Sequence, residues 1–195
     1  MPLKNDSLFE RVRKRETLYN GCYLKLEKLT VDCGNGKTGV REIVHVRNAV
    51  AVLPVDARGR VTLVRQHRPA IGRTILEVPA GVMDPGESPA ACARRECAEE
   101  TGLRPRKLTK LISYAHAEGY STGFITLFLG TDLKKTGALK LDATECVEPV
   151  LMTFEKLMSL IKKGTVIDSK TLLSALLSRS LLRKGRHLTK KRRLS

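Results

Sequence analysis

The chain has 195 residues, the length of one domain, with 42% hydrophobic content for a core and a formal charge of +16 that favours anionic partners: nucleic acid, acidic surfaces or phosphate-rich small molecules. No apolar run approaches a membrane span and the opening MPLKNDSLFERVRKRE holds no signal-peptide core, so a cytoplasmic protein without membrane contact is expected. Five cysteines (Cys22, Cys33, Cys92, Cys97, Cys146), odd in number and without a C-x-x-C, argue for reduced thiols over a disulfide framework or a zinc knuckle.

In chain order, Tyr23, Lys25 and Glu27 alternate with Leu24 and Leu26, and the turn CGNGKTG at 33–39 joins that run to VREIVHV at 40–46, which predicts an antiparallel hairpin. AVAVLPV (49–55), the turn DARGR and VTLVRQH (61–67) predict a second hairpin, buried on one or both faces. A short strand TILEVP follows. Ser88 before Pro89 reads as N-cap and first helical residue, and Gly102 as a left-handed C-cap, so a helix is expected over 89–101. KLISYAH and GFITLFLGTDL read as strands, and ECVEPVLMT as a loop entering another. FEKLMSLIKKG and SKTLLSALLSRSLLRK carry helical spacing. The tail 183–195 holds seven Lys and Arg and no acid, and is read as a solvated end or a contact for polyanions. Strands interleaved with a few helices indicate a mixed sheet covered by helices, an α/β class.

On the helix expected at 89–101, Glu96, Glu99 and Glu100 share a face, because residues three and four apart are neighbours there. Like charges at that spacing destabilise a helix unless something offsets them. Arg95, four residues before Glu99, can offset one. A hard divalent cation, which prefers carboxylate oxygens and often bridges to phosphate, is the economical answer for the others. A charged outer face is the plainer alternative.

The whole arrangement favours the cation. Gly81, five residues, Glu87, seven residues, Arg95-Glu96, Cys97, Ala98, Glu99-Glu100, Thr101, Gly102 and Leu103 matches the signature of the Nudix hydrolases position for position, with Cys97 in an aliphatic slot that cysteine fills as a small hydrophobe. The resemblance implies a Nudix-type α/β/α sandwich with a mixed β-sheet, an N-terminal hairpin subdomain at 1–47, a hydrolase domain at 48–182 and the basic tail. It further implies that Glu96, Glu99, Glu100 and the Ala80 carbonyl hold Mg²⁺, or alternatively Mn²⁺. Gly81, Glu87, Arg95 and Gly102 would then be structural members of the box.

Over roughly residues 20–180 the chain is most similar to the ADP-ribose pyrophosphatase and nucleoside-diphosphate-sugar branch, through VTLVRQHRPAIGRTILEVPAG and TVIDSKTLLSALL. That similarity implies hydrolysis of a nucleoside diphosphate-linked small molecule by a homodimer. Arg68, and more weakly Arg47, resemble arginines that meet the diphosphate. Glu77 resembles a metal-side acid of the branch, with a structural strand-end glutamate as the alternative, Tyr120 resembles a substrate contact, and Tyr19 and Tyr23 lie where a base could stack or a hairpin simply pack. The loop LDATECVEP offers Glu145 as the catalytic base, with Glu148 as the alternative acid. One stretch departs from the branch: AHAEGYSTG has Glu118 and Gly119 where a proline is usual and Thr122-Gly123 for an acidic pair, which opens the substrate to other nucleoside diphosphate sugars. An RNA 5′-pyrophosphohydrolase or an RNA-binding module on the same fold is the alternative. The basic segments favour it, and the intact glutamates and only eight Phe and Tyr oppose it.

Overall fold

The computed structural model describes residues 8–33, 36–141 and 146–191, with side chains described up to residue 182. The chain divides into two compact units, one of residues up to Asn48 joined by Tyr114–Phe124, the other of residues 49–113 and 125–195.

The first unit is built on an antiparallel sheet in the order β1 (Arg11–Asn20), β2 (Lys25–Asp32), β3 (Thr38–His45), one strand more than the expected hairpin. Strand β1 carries no apolar alternation and is exposed at every position, so its pattern resembles a solvated basic segment. What holds it is the ladder to β2 together with ion pairs such as Arg13 to Asp32 at 2.6 Å. On β2 the face of Glu27, Leu29 and Val31 is the buried one. Glu27 there accepts from Lys25 Nζ at 2.5 Å and from Arg15 Nη1 at 3.3 Å, and bonds His45 Nε2 at 2.8 Å; the Lys25 contact foremost holds its carboxyl down at about 2. At the far edge of the sheet, the Val44 N–H donates to the Tyr120 carbonyl at 2.7 Å and the Thr122 N–H to the Val44 carbonyl at 3.0 Å. The segment AHAEGYSTG is thereby pinned along the end of β3.

The second unit holds two sheets. β7 (Ala80–Val82), β4 (Ala49–Pro54), β9 (Phe124–Lys135) and β8 (Leu103–Ala115) lie in that order, β4 parallel to β9 and antiparallel to β7, a mixed sheet. β10 (Val147–Thr153), β5 (Arg60–Arg68) and β6 (Arg73–Glu77) form an antiparallel sheet. Helix α1 (Pro89–Thr101) packs on strands of both sheets, α2 (Phe154–Lys162) on β5 and β10, and α3 (Ser169–Lys191) on β4 and β6. The expected hairpin of 49–55 with 61–67 is not formed. β4 and β5 enter different sheets, and among the described residues the two runs share no ladder beyond an isolated bridge from Val55 to Val61. β4 is apolar throughout and β5 is buried over residues 61–64, so each needs neighbours on both edges; β4 finds them in β7 and β9, β5 in β6 and β10.

Helix α1 begins and ends where its cap residues direct. Ser88 has extended backbone and its Oγ accepts from the Ala91 N–H at 3.2 Å, Pro89 follows at the first turn, and Gly102 closes the helix at φ 67° with its N–H on the Ala98 carbonyl. Its inner face sets Cys92, Ala93 and Cys97 against Val50, Val52 and Phe128. Burial pushes the thiols of Cys92 and Cys97 up to about 12, which makes them inert packing groups. All five cysteines are free thiols. Among the described residues no helix is long and apolar enough to cross a membrane.

Candidate active site

Two carboxylates of α1, those of Glu96 and Glu100, meet the backbone of β7. The Cα of Gly81 lies so close to Glu96 that a Cβ there would overlap the carboxylate, which gives this glycine a steric reason. Beside it Glu100, 1% exposed, accepts the Ala80 N–H at 3.1 Å. Glu99 stands on the same face, and Arg95 Nη1 bonds both Glu96 Oε1 at 2.7 Å and Glu99 Oε2 at 3.1 Å.

Arg95 is the hub of this face. Its Nε and Nη2 grip Glu87 at 3.0 and 2.8 Å, a bidentate pair across the loop, and Nη2 also donates to the Val82 carbonyl at 3.3 Å. The Glu87 carboxyl is held down at about 2, chiefly by the Arg95 hydrogen bond, while the guanidinium is driven up by the same contact. The loop between β7 and α1 is thus tied to the helix by charge as well as by its cap.

A second charged group lies at the end of β6. Arg68 Nε and Nη2 bond the two oxygens of Glu77 at 2.6 and 2.9 Å, and Lys170 Nζ reaches Glu77 Oε2 at 2.9 Å. Glu77 is 1% exposed, and burial by itself would raise its pKa; the contacts with Arg68 and Lys170 outweigh burial and lower it. Glu77 raises the Arg68 guanidinium in return, and the charges of Glu100 and Asp168 add to it.

Of the residues singled out in the sequence, Ala80, Gly81, Glu87, Arg95, Glu96, Glu99 and Glu100 come together in the second unit, with Arg68 joined to Glu77 there. Gly102 closes the same helix. Arg47 and Tyr120 belong to the first unit, where Arg47 lines a pocket of about 280 Å³ with Tyr23 and His45. Tyr120 is 58% exposed. Glu145 lies outside the described residues. Glu148 is not on a loop: it stands in β10 opposite Arg65 and pairs with Arg65 Nη1 at 2.7 Å, because the strand begins at Val147. The sequence reading passed over Asp168, Lys170 and Thr171, whose signal was an Asp-x-Lys-Thr start ahead of an apolar helical run.

The donors fit a hard divalent cation by chemistry, being carboxylate oxygens. In the arrangement described, Arg95 and the Ala80 N–H engage them, and among the described residues no three His, Cys, Asp or Glu side chains converge on one point. A cavity of about 1010 Å³ elsewhere in the second unit, lined by Val55, Leu129, Phe154 and Met158 among others, contains none of the box residues.

Known proteins place this arrangement. The chain is 37% identical over 166 residues to the ADP-ribose pyrophosphatase of Bacillus subtilis (strain 168), covering 85% of this chain and 90% of that one. It is 35% identical, over the same shares, to the methanol dehydrogenase activator of Bacillus methanolicus. A crystal structure of an ADP compounds hydrolase shares the fold, with a TM-score of 0.83 over 93% of this chain and 98% of that one at 24% identity. The NUDIX domain profile matches residues 45–174, the span that holds Gly81, Glu87, Arg95 and the glutamates of α1, and the chain belongs to the Nudix family of hydrolases.

Proposed function

We propose that this Nudix hydrolase cleaves the diphosphate bond of ADP-ribose or a related nucleoside diphosphate sugar, releasing a nucleoside monophosphate and a sugar phosphate. The observation that carries the reading is the three-carboxylate face of α1 set against Ala80 and Gly81, with Arg95 bridging it to Glu87. The B. subtilis relative, named for ADP-ribose and similar across most of both chains, supports the substrate class.

Mg²⁺ or Mn²⁺ held by Glu96, Glu99, Glu100 and the Ala80 carbonyl would neutralise the diphosphate and the departing phosphate. Arg68 presents a planar fork that suits a phosphate oxygen pair. Arg47 and Tyr120 are assigned as further substrate contacts. Glu145 takes the proton from the attacking water as its oxygen bonds to phosphorus and the bridging P–O bond breaks. Glu148, engaged by Arg65, is the weaker choice for that proton. A homodimer and a cytoplasmic setting complete the reading, the latter supported by five free thiols.

The test is a hydrolysis panel of ADP-ribose, sugar nucleotides, dinucleoside polyphosphates and capped or triphosphorylated RNA, with Mg²⁺, with Mn²⁺ and with chelator. Turnover of ADP-ribose or sugar nucleotides that chelator abolishes is expected, and turnover confined to RNA would replace the substrate. Glu100→Gln keeps the shape of the side chain and removes a like charge from the helix, so the fold should persist while turnover falls by at least about a hundredfold. Near-normal hydrolysis by a folded Glu100→Gln protein would overturn the metal assignment.

A further inference from the structure

The start of α3 is wired to the strand that leads into the active site. Asp168, 9% exposed, caps the helix: its Oδ2 accepts the Thr171 N–H at 2.9 Å and the Thr171 hydroxyl at 2.6 Å. That hydroxyl oxygen in turn accepts the Val78 N–H at 2.8 Å, two residues before Ala80. The other oxygen of Asp168 bonds Lys170 Nζ at 2.5 Å, and Lys170, its side chain 16% exposed, bonds Glu77. Two carboxylates and two cations therefore alternate as Asp168, Lys170, Glu77 and Arg68, with Arg68 the outermost at 41% side-chain exposure.

Glu77 contacts two cations, Arg68 and Lys170, and Lys170 is shared with Asp168. Were Arg68 its sole partner, moving that guanidinium onto a diphosphate would strand a buried carboxylate, which is strongly unfavourable. With Lys170 in place the carboxylate keeps a counter-ion after Arg68 leaves. Lys170 is itself kept charged: burial pulls its pKa down, and Asp168 and Glu77 together more than offset that.

We infer that Lys170, fixed by Asp168, is a positioning residue that holds the charge of Glu77 so that Arg68 can be transferred from Glu77 to the diphosphate of the substrate. Glu77 then serves as the resting place of Arg68 and an anchor for the 77–80 backbone. The inference rests on the diphosphate reading above and concerns binding, since Arg68 would hold the diphosphate alike before and during the reaction.

The experiment measures steady-state kinetics on ADP-ribose and calorimetric binding of ADP for wild type, Lys170→Met and Lys170→Arg, each checked for fold by circular dichroism. Lys170→Met should raise KM and weaken ADP binding by roughly ten- to a hundredfold while kcat stays within about threefold, and Lys170→Arg should recover most of the loss. Wild-type ADP affinity in Lys170→Met, a fall in kcat alone, or a folded Lys170→Arg no better than Lys170→Met would overturn the inference. Should Lys170→Met not fold, the double variant Glu77→Gln with Lys170→Met removes the buried charge and its partner together and should fold. It should bind ADP within about tenfold of wild type, because Arg68 is then no longer held, and loss of ADP binding by that folded protein would equally overturn the proposal. Wild-type turnover, run alongside, reports separately on the substrate: ADP binding that depends on Lys170 without ADP-ribose hydrolysis would sink the substrate and leave the network standing.

Discussion

At Arg95 one guanidinium serves three glutamates. It grips Glu87 on the loop with two nitrogens and shares a third between Glu96 and Glu99. Such charge-assisted, bidentate contacts are about twice as strong as neutral ones. The pH dependence follows from Glu87, whose carboxyl sits at about 2 in the fold against an ordinary 4.5. Below pH 4.5 the unfolded chain takes up a proton that the folded chain refuses, so the stability contributed by this pair is full above that point and lost as pH falls toward 2. Urea midpoints between pH 6 and 3 should therefore fall less steeply for Glu87→Gln than for wild type. Parallel curves for the two proteins would show that the Arg95 contact leaves no mark on acid stability.

At the scale of elements, the loop and α1 act as one piece, and Gly81 is where their fit is tightest. A methyl group at that position has no room beside the Glu96 carboxylate, so Gly81→Ala must turn Glu96 away or shift β7. The atoms in the way are the end of the Glu96 side chain, so the main consequence is a misplaced carboxylate of the site, with the loss of its Arg95 contact as the cost in stability. Gly81→Ala should stay folded with a lower melting temperature and lose activity that added Mg²⁺ partly recovers. Unchanged kinetics at low Mg²⁺ would mean that Glu96 tolerates displacement. This piece was legible in the sequence down to its ends, because cap residues and the three-and-four spacing of glutamates are local signals. Strand β1 was not, since an element exposed at all ten positions owes its shape to its neighbour β2 rather than to its own pattern. The pairing of β4 and β5 misled for the opposite reason: a short turn between two apolar runs fits a hairpin as well as a crossover between sheets. The cluster of Arg68, Glu77 and Lys170 was beyond local reading, because Lys170 and Glu77 stand 93 residues apart.

For the molecule as a whole, the N-terminal sheet raises the matter of what covers it. Strand β1 is an edge with every side chain exposed, and around it Leu8, Phe9, Leu18, Tyr19 and Tyr23 are 45% to 84% exposed. Among the described residues no strand pairs with the outer edge of β1, and an open edge with exposed apolar side chains is a template for another chain that natural proteins cover or blunt. The basic residues of β1 keep its edge from promiscuous pairing while leaving a two-fold mate possible, with the same patch meeting itself on both subunits. A second copy of this chain is the occupant proposed here, and charge placed at these exposed apolar positions should separate the copies. Light scattering should give a dimer for wild type at micromolar concentration and a monomer for Leu18→Glu combined with Tyr23→Glu. Both substitutions are on exposed positions, so circular dichroism should remain that of the folded chain. If the partner's N-terminal segment helps bind substrate, KM for ADP-ribose should rise as the dimer is lost and fall again at protein concentrations that restore it. A wild-type protein that is monomeric at micromolar concentration and fully active would end the dimer hypothesis.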